Sequence, residues 1–267
     1  MLHNPAVDPV RFALWTLRDE AAQRRSPPRW ATRAMLRKLF LLLALSSLNA
    51  EAGFLGFGAD SWNEEVLLHD GKKVIVQRSQ SYGGQREVGQ SAPIKQHTIS
   101  FGLPDTGKNV TWTSEYGADI GRANFSLLAI HVLAGTPYIV AYPNLCLSYN
   151  KWGRPNPPYV FFKYDGKEWQ RISLEQFPSE FTTFNVVISL QTHYVDRMIE
   201  IGQVSTEGVA KLNSNLSQAE LKSILRDPVK RGTEGSAVNC RELIYYKGAW
   251  VGPGDSIGKR MMDRAKK

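Results

Sequence analysis

The residues beyond position 52 best equipped for chemistry are His69, His97, His131 and His193. A histidine beside a carboxylate and a hydroxyl is the usual constellation of hydrolysis by an activated nucleophile. No stretch of this chain supplies it locally. His69 precedes Asp70-Gly71 and reads as an exposed turn residue. His131 alternates with Phe125, Leu127, Ala129 and Leu133, which places it on one strand face as a core histidine bonded to backbone. A site in which His131, His97 and an acid meet only in the fold stays open. No CxxC or HxxxH spacing occurs, so no metal site is expected. No catalytic residue and no cofactor follow from the motifs.

Two glycine-rich stretches imitate functional blocks. Gly254-Asp255-Ser256-Ile257 resembles the nucleophile block of GDSL-type hydrolases. In that family a later histidine supplies the base, and no histidine follows Ser256 here. Asp255 or Ser256 is better read as the cap of a final helix. Gly254 to Lys259 is one residue short of a phosphate-binding loop, and Arg260 stands where Ser or Thr is required.

The most unusual stretch is Tyr149-Asn150-Lys151-Trp152-Gly153-Arg154-Pro155-Asn156-Pro157-Pro158-Tyr159. It sets aromatic groups and an arginine on a proline-stiffened loop. Rigid aromatic and guanidinium groups suit recognition because little entropy is lost when they bind. Trp152, Arg154 and Tyr159 are therefore the expected binding residues. A second surface lies in the tail. Lys259, Arg260, Arg264, Lys266 and Lys267 surround Ile257, Met261, Met262 and Ala265, the composition of a basic amphipathic helix able to touch an anionic membrane weakly.

Residues 35–52 have the three parts of a secretory signal peptide. Arg37-Lys38 precedes the apolar run 39–45, a polar stretch follows, and small residues lead to an expected cut between Ala52 and Gly53. The apolar run is too short to span a bilayer. Residues 1–34 then read as an over-extended N-terminus, with 53–267 the mature chain, periplasmic or secreted. The whole chain has 33 Lys and Arg against 25 Asp and Glu, a net +8. Residues 53–267 have 25 against 21, a net +4, which weakens the argument from overall charge for a nucleic-acid partner, and none is expected. Two cysteines in an exported chain, Cys146 and Cys240, suggest one disulfide.

The mature chain is expected to be mainly β (α+β): an antiparallel, hairpin-rich sandwich or barrel-like sheet in a single domain. Asp70-Gly71, Asp165-Gly166 and Lys247-Gly248 each sit between apolar runs and mark hairpins. Pro104-Asp105-Thr106-Gly107 and Ala134-Gly135-Thr136-Pro137 mark two more. Residues 184–188 read as a further strand. A helical insertion is expected over about 192–228. Val195, Met198 and Ile199 form one helix face that Gly202 ends. Ser217 and Glu220 form a capping box for a second helix carrying Leu221, Ile224 and Leu225, stopped by Pro228.

The stretch 149–164, with Asn150 to Tyr159 as quoted, resembles a group of uncharacterised exported proteobacterial proteins. So does the ending Gly252-Pro253-Gly254-Asp255-Ser256-Ile257-Gly258-Lys259-Arg260-Met261-Met262. The resemblance implies a bacterial cell envelope and carries over no catalytic residue. The expected function is a non-enzymatic binding or envelope-associated module that uses the Trp152 loop to hold an unidentified envelope protein or ligand. The alternatives are a periplasmic hydrolase with a site assembled in space, and a peripheral membrane protein that uses the tail.

Overall fold

The computed structural model describes residues 59–84, 89 and 91–265. The expected N-terminal extension 1–34, the signal segment 35–52, the Ala52–Gly53 bond, Lys266 and Lys267 all lie outside the described residues. Gly56–Lys267 forms one compact unit. No helix among the described residues is long and apolar enough to cross a membrane.

The fold is mainly β with small helical parts. Strands β1 (Ala59–Leu67), β2 (Lys73–Tyr82), β3 (Ile94–Gly102) and β4 (Asn109–Ser114) form an antiparallel meander. After the short pair β5 (Tyr116–Gly117) and β6 (Arg122–Ala123) comes a second sheet. It contains β7 (Phe125–Leu133), β8 (Thr136–Pro143), β9 (Val160–Tyr164) and β10 (Trp169–Ile172), in the order β10-β9-β8-β7. Strand β11 (Gln203–Val204) pairs in parallel with β1 and extends the first sheet to five strands. The last strands, β12 (Ile244–Tyr246) and β13 (Ala249–Val251), form a separate hairpin.

The expected turns form where local chemistry dictates them. Gly71, Gly107 and Gly166 carry positive φ at their bends. Ala134-Gly135 and Lys247-Gly248 carry it at both residues, the mirror-image turn that matches strand twist.

The sheets face each other across one apolar core. Val66, Val76, Phe101 and Trp112 from the first meet Leu127, Ile130, Ile139 and Phe162 from the second. The second sheet is buried on its other face too, where Leu128, Ala129, Val140 and Phe161 pack against Phe177, Phe181 and Ile224. A register shift between Leu127 and Ala129 exchanges the faces taken by the residues of β7 that follow it. It corrects the expected alternation. Phe125 and Leu127 face the inter-sheet core, whereas Ala129 lies on the other face with His131, which stacks on Phe181.

Residues 184–188 are not a strand. Their polar groups are met by side chains from elsewhere instead of by a ladder. Glu64 Oε2 accepts from Val187 N at 2.9 Å, and Arg78 Nη1 donates to Val187 O at 2.7 Å. Asn213 accepts from Ile188 N and donates to Val186 O. In the reverse sense, Asn185 accepts from Ile130 N and donates to Ile130 O and Leu67 O, so its amide ties β7 to β1.

The helical region is shorter than expected. Helix α2 (Thr192–Ile201; α1 is Leu145–Lys151) ends at Gly202 with φ 72° and buries Val195 and Met198, while Ile199 is 38 % exposed. Helix α3 (Thr206–Asn213) is capped by Ser205. The helix expected after Ser217 is only a single 3-10 turn, Ala219–Leu221. Glu220 does not close a capping box; it is buried with neither carboxylate oxygen partnered. The N–H groups of Ile224 and Leu225 go to Thr182 O and the Tyr159 hydroxyl, so tertiary contacts replace the helical ladder.

Candidate functional site

The aromatic loop is two things at once, a structural clamp and one wall of a groove. Cys146 and Cys240 stand at disulfide distance, with Sγ atoms 1.99 Å apart, and join α1 to the segment before β12. Asn150 strengthens that seam. Its Nδ2 donates to Cys146 O and Arg241 O, and its Oδ1 accepts from Leu243 N. Arg154, held at φ 52°, lies over the Tyr149 ring and donates to Asn150 Oδ1 at 2.9 Å and Cys240 O at 2.7 Å. Its guanidinium is committed to holding the chain together. Tyr159 is 2 % exposed, and its hydroxyl donates to Glu220 O at 2.8 Å. Burial pushes that phenol well above its ordinary range. The expected trio is therefore corrected: Arg154 and Tyr159 build the scaffold, and only Trp152 reaches a groove.

Trp152 follows α1 directly, its N–H bonded to Ser148 O. Its ring packs on Phe125 at 4.5 Å between centroids, at the edge of the core. Opposite stands β4, an edge strand of the first sheet, and β10, an edge strand of the second. Trp169 Nε1 donates to Thr111 O at 2.7 Å and links those two edges. At the other end of β4, Ser114 Oγ both accepts from Phe125 N and donates to Phe125 O. Between these two links lies a groove of about 440 Å³, within the size range of small-molecule sites.

Five aromatic residues line it: Trp112, Phe125, Trp152, Phe162 and Trp169. Thr111, Thr113, Glu115 and Asn124 supply its polar rim. Two of these nine residues carry a buried polar atom without a partner, the indole Nε1 of Trp152 and the Oδ1 of Asn124. Such groups cost free energy unless something completes them. Gly117 makes room for Asn124, since a Cβ there would stand 2.8 Å from Oδ1. Arg171 sits over the Trp152 ring, 5.7 Å from its centroid, and donates to Trp152 O. One face of that indole is thus already occupied by a cation.

The histidines take no part in this groove. His97 is 3 % exposed, and burial, with the Arg78 guanidinium nearby, lowers its pKa to about 3. His131 is fully buried and lowered to about 4, chiefly by burial. Its Nε2 pairs with Thr183 O at 3.0 Å; a carbonyl only accepts, so the ring carries its proton there, and Nδ1 has no partner. The charged or titratable groups felt by these rings are Arg78 and His69, neither a carboxylate. His69 and His193 are exposed. No group of three metal-binding side chains occurs among the described residues.

In the tail, Asp255 Oδ1 accepts from Gly258 N and so caps α4 (Ser256–Ala265), as the sequence suggests. Compared with known proteins, the chain matches no family model, no curated relative and no solved structure.

Proposed function

We propose that this chain is an exported binding protein that holds a small, neutral, hydroxyl-rich ligand with a flat apolar face, the chemistry of a sugar ring, in the groove of Trp152 and Trp169. The observation that carries the reading is a groove walled by five aromatic side chains with a polar rim, beside which two buried polar atoms have no partner, so that a ligand completes them only by displacing what covers them. Trp152 Nε1 lacks an acceptor and Asn124 Oδ1 lacks a donor, and both residues line one groove with four other aromatic side chains. An indole offers a flat apolar surface and one donor, which suits a ligand that is apolar on its face and polar at its edge. A cationic ligand fits less well, because Arg171 already lies over the Trp152 ring. Export rests on the signal-like residues 35–52 and is supported by the cysteine pair at disulfide distance.

The test is a titration of the protein with soluble oligosaccharides of glucose and of N-acetylglucosamine, followed by calorimetry. At least one should bind, and Trp152→Phe, which keeps a ring and removes the donor, should weaken it about tenfold, the effect of roughly 1.4 kcal/mol. Equal binding by Trp152→Phe and by Trp169→Ala would place the ligand elsewhere.

A further inference from the structure

The most exposed large apolar side chains of the described chain are Ile257 and Met261, 65 % and 60 % accessible, and both belong to α4. Arg260 and Arg264 are exposed with them. Positions 257, 260, 261 and 264 follow the spacing that aligns side chains along one face of a helix. The helix's only acidic residue, Asp263, is engaged by the hairpin. It accepts from the Tyr246 hydroxyl at 2.9 Å and pairs with Lys247, which docks α4 on the β12–β13 hairpin. Lys259 Nζ donates to Pro253 O, and Arg260 Nε donates to Ser256 O within the helix. The outward face is therefore apolar and cationic, with no acid among its four residues. Ile244 and Tyr245, on the hairpin that carries the helix, are exposed as well.

We infer that this face rests on a bilayer surface rich in anionic phospholipid. Charge complementarity names the occupant. Each apolar side chain is flanked by an arginine one helical turn or less away, which is how an interfacial helix buries its apolar residues while its cations meet phosphate headgroups. The arginine stem adds apolar length beneath its charge. A helix of ten residues with two exposed apolar side chains gives weak, reversible attachment that needs both components. The groove of Trp152 shares no residue with this face, so the two functions are separable.

The full chain is mixed with vesicles of phosphatidylglycerol and phosphatidylcholine in equal parts, and with vesicles of phosphatidylcholine alone. The ratio of the two affinities is compared between the wild type and two double variants, Ile257→Ser with Met261→Ser and Arg260→Ser with Arg264→Ser. All four positions are exposed, so circular dichroism should show the fold unchanged. The wild type should prefer the anionic vesicles; the arginine pair should reduce that preference at least tenfold, since one basic side chain near such a surface is worth roughly fivefold, and the apolar pair should weaken binding to the anionic vesicles about tenfold or more. An environment-sensitive dye on Ile257→Cys should shift to the blue with anionic vesicles alone, which separates this helix from any other membrane-seeking part of the chain. No dye shift, an unchanged preference in the arginine variant, or unchanged binding of the apolar variant to the anionic vesicles overturns the inference. So does binding to soluble polyglutamate that needs the arginines but not Ile257 and Met261, which would mark an acidic protein as the partner.

Discussion

Glu64 and Arg78 lie on neighbouring strands with Oε1 and Nη1 2.8 Å apart, and together they grip both polar groups of Val187. Both are buried, at 0 % and 2 % side-chain exposure. The Trp62 indole also donates to Glu64 Oε1. A buried ion pair is costly to desolvate, and here the other hydrogen bonds of Glu64 and of Arg78 Nη1 offset part of that cost, while Arg78 Nη2 has no partner. The bonds to Val187 fix a segment that has no strand partner, and so close one side of the sandwich. Arg78→Met strands the Glu64 charge and should cost about 3–5 kcal/mol in urea unfolding. Adding Glu64→Leu should cost less than the sum of the two single changes, with a coupling above about 1 kcal/mol. Strict additivity would show that the two residues do not act as a pair.

Asn185 performs the matching task at β7. Replacing it with alanine removes the partners of Ile130 N and Ile130 O, both buried. The expected loss is about 2–4 kcal/mol, from two groups left unmet. The Ile130 amide should also exchange its hydrogen far faster than its neighbours in β7. Unaltered exchange at Ile130 would mean that another group covers it.

Acid should destabilise the fold through two histidines. His97 and His131 are lowered to about 3 and about 4, whereas in the unfolded chain each titrates near 6.5. Between those values the unfolded state binds more protons, so stability is full above about pH 6.5 and falls as pH drops toward 4. The slope approaches about 1.4 kcal/mol per pH unit for each histidine. His131→Phe keeps a ring against Phe181 and should lower the slope by about one proton. An unchanged slope would assign the acid sensitivity to other groups.

The cysteine pair closes 94 residues of chain. In the chain-entropy account a loop of that length contributes about 4–5 kcal/mol. Cys146→Ser with Cys240→Ser should therefore lower the urea midpoint strongly and loosen the seam around Asn150 and Arg154. A midpoint shift equivalent to less than about 1 kcal/mol would show that the hydrogen bonds of that seam suffice alone.

The hairpins were legible in the sequence because their cause is local. Asp70-Gly71, Asp165-Gly166 and Lys247-Gly248 carry their own turn chemistry, and the alternation beside them reports the buried face. Residues 184–188 and 217–228 differ from the sequence reading because key backbone groups in them are met by residues far along the chain. Glu64 is 123 positions from Val187, and Tyr159 is 66 from Leu225. The face taken by His131 was hidden by a one-residue bulge that leaves no mark in composition. Trp152 stood out as an aromatic residue on a stiff loop. Its companions Trp112, Phe125, Phe162 and Trp169 come from four different strands, and their convergence follows from sheet packing alone. Arg154 and Tyr159 share Trp152's loop without sharing its groove.

The central claim is that a ligand in the groove of Trp152 reaches its buried, unpartnered indole N–H. Indole N–H signals in a proton–nitrogen correlation spectrum report each tryptophan separately, and the peak missing from Trp152→Phe identifies this one. On titration with glucose or N-acetylglucosamine oligosaccharides that peak should move progressively, while the peak of Trp62, already bonded to Glu64, stays in place. If the Trp152 signal stays fixed with every oligosaccharide, or if other signals move equally in Trp152→Phe, the groove is not a sugar site and the account is contradicted.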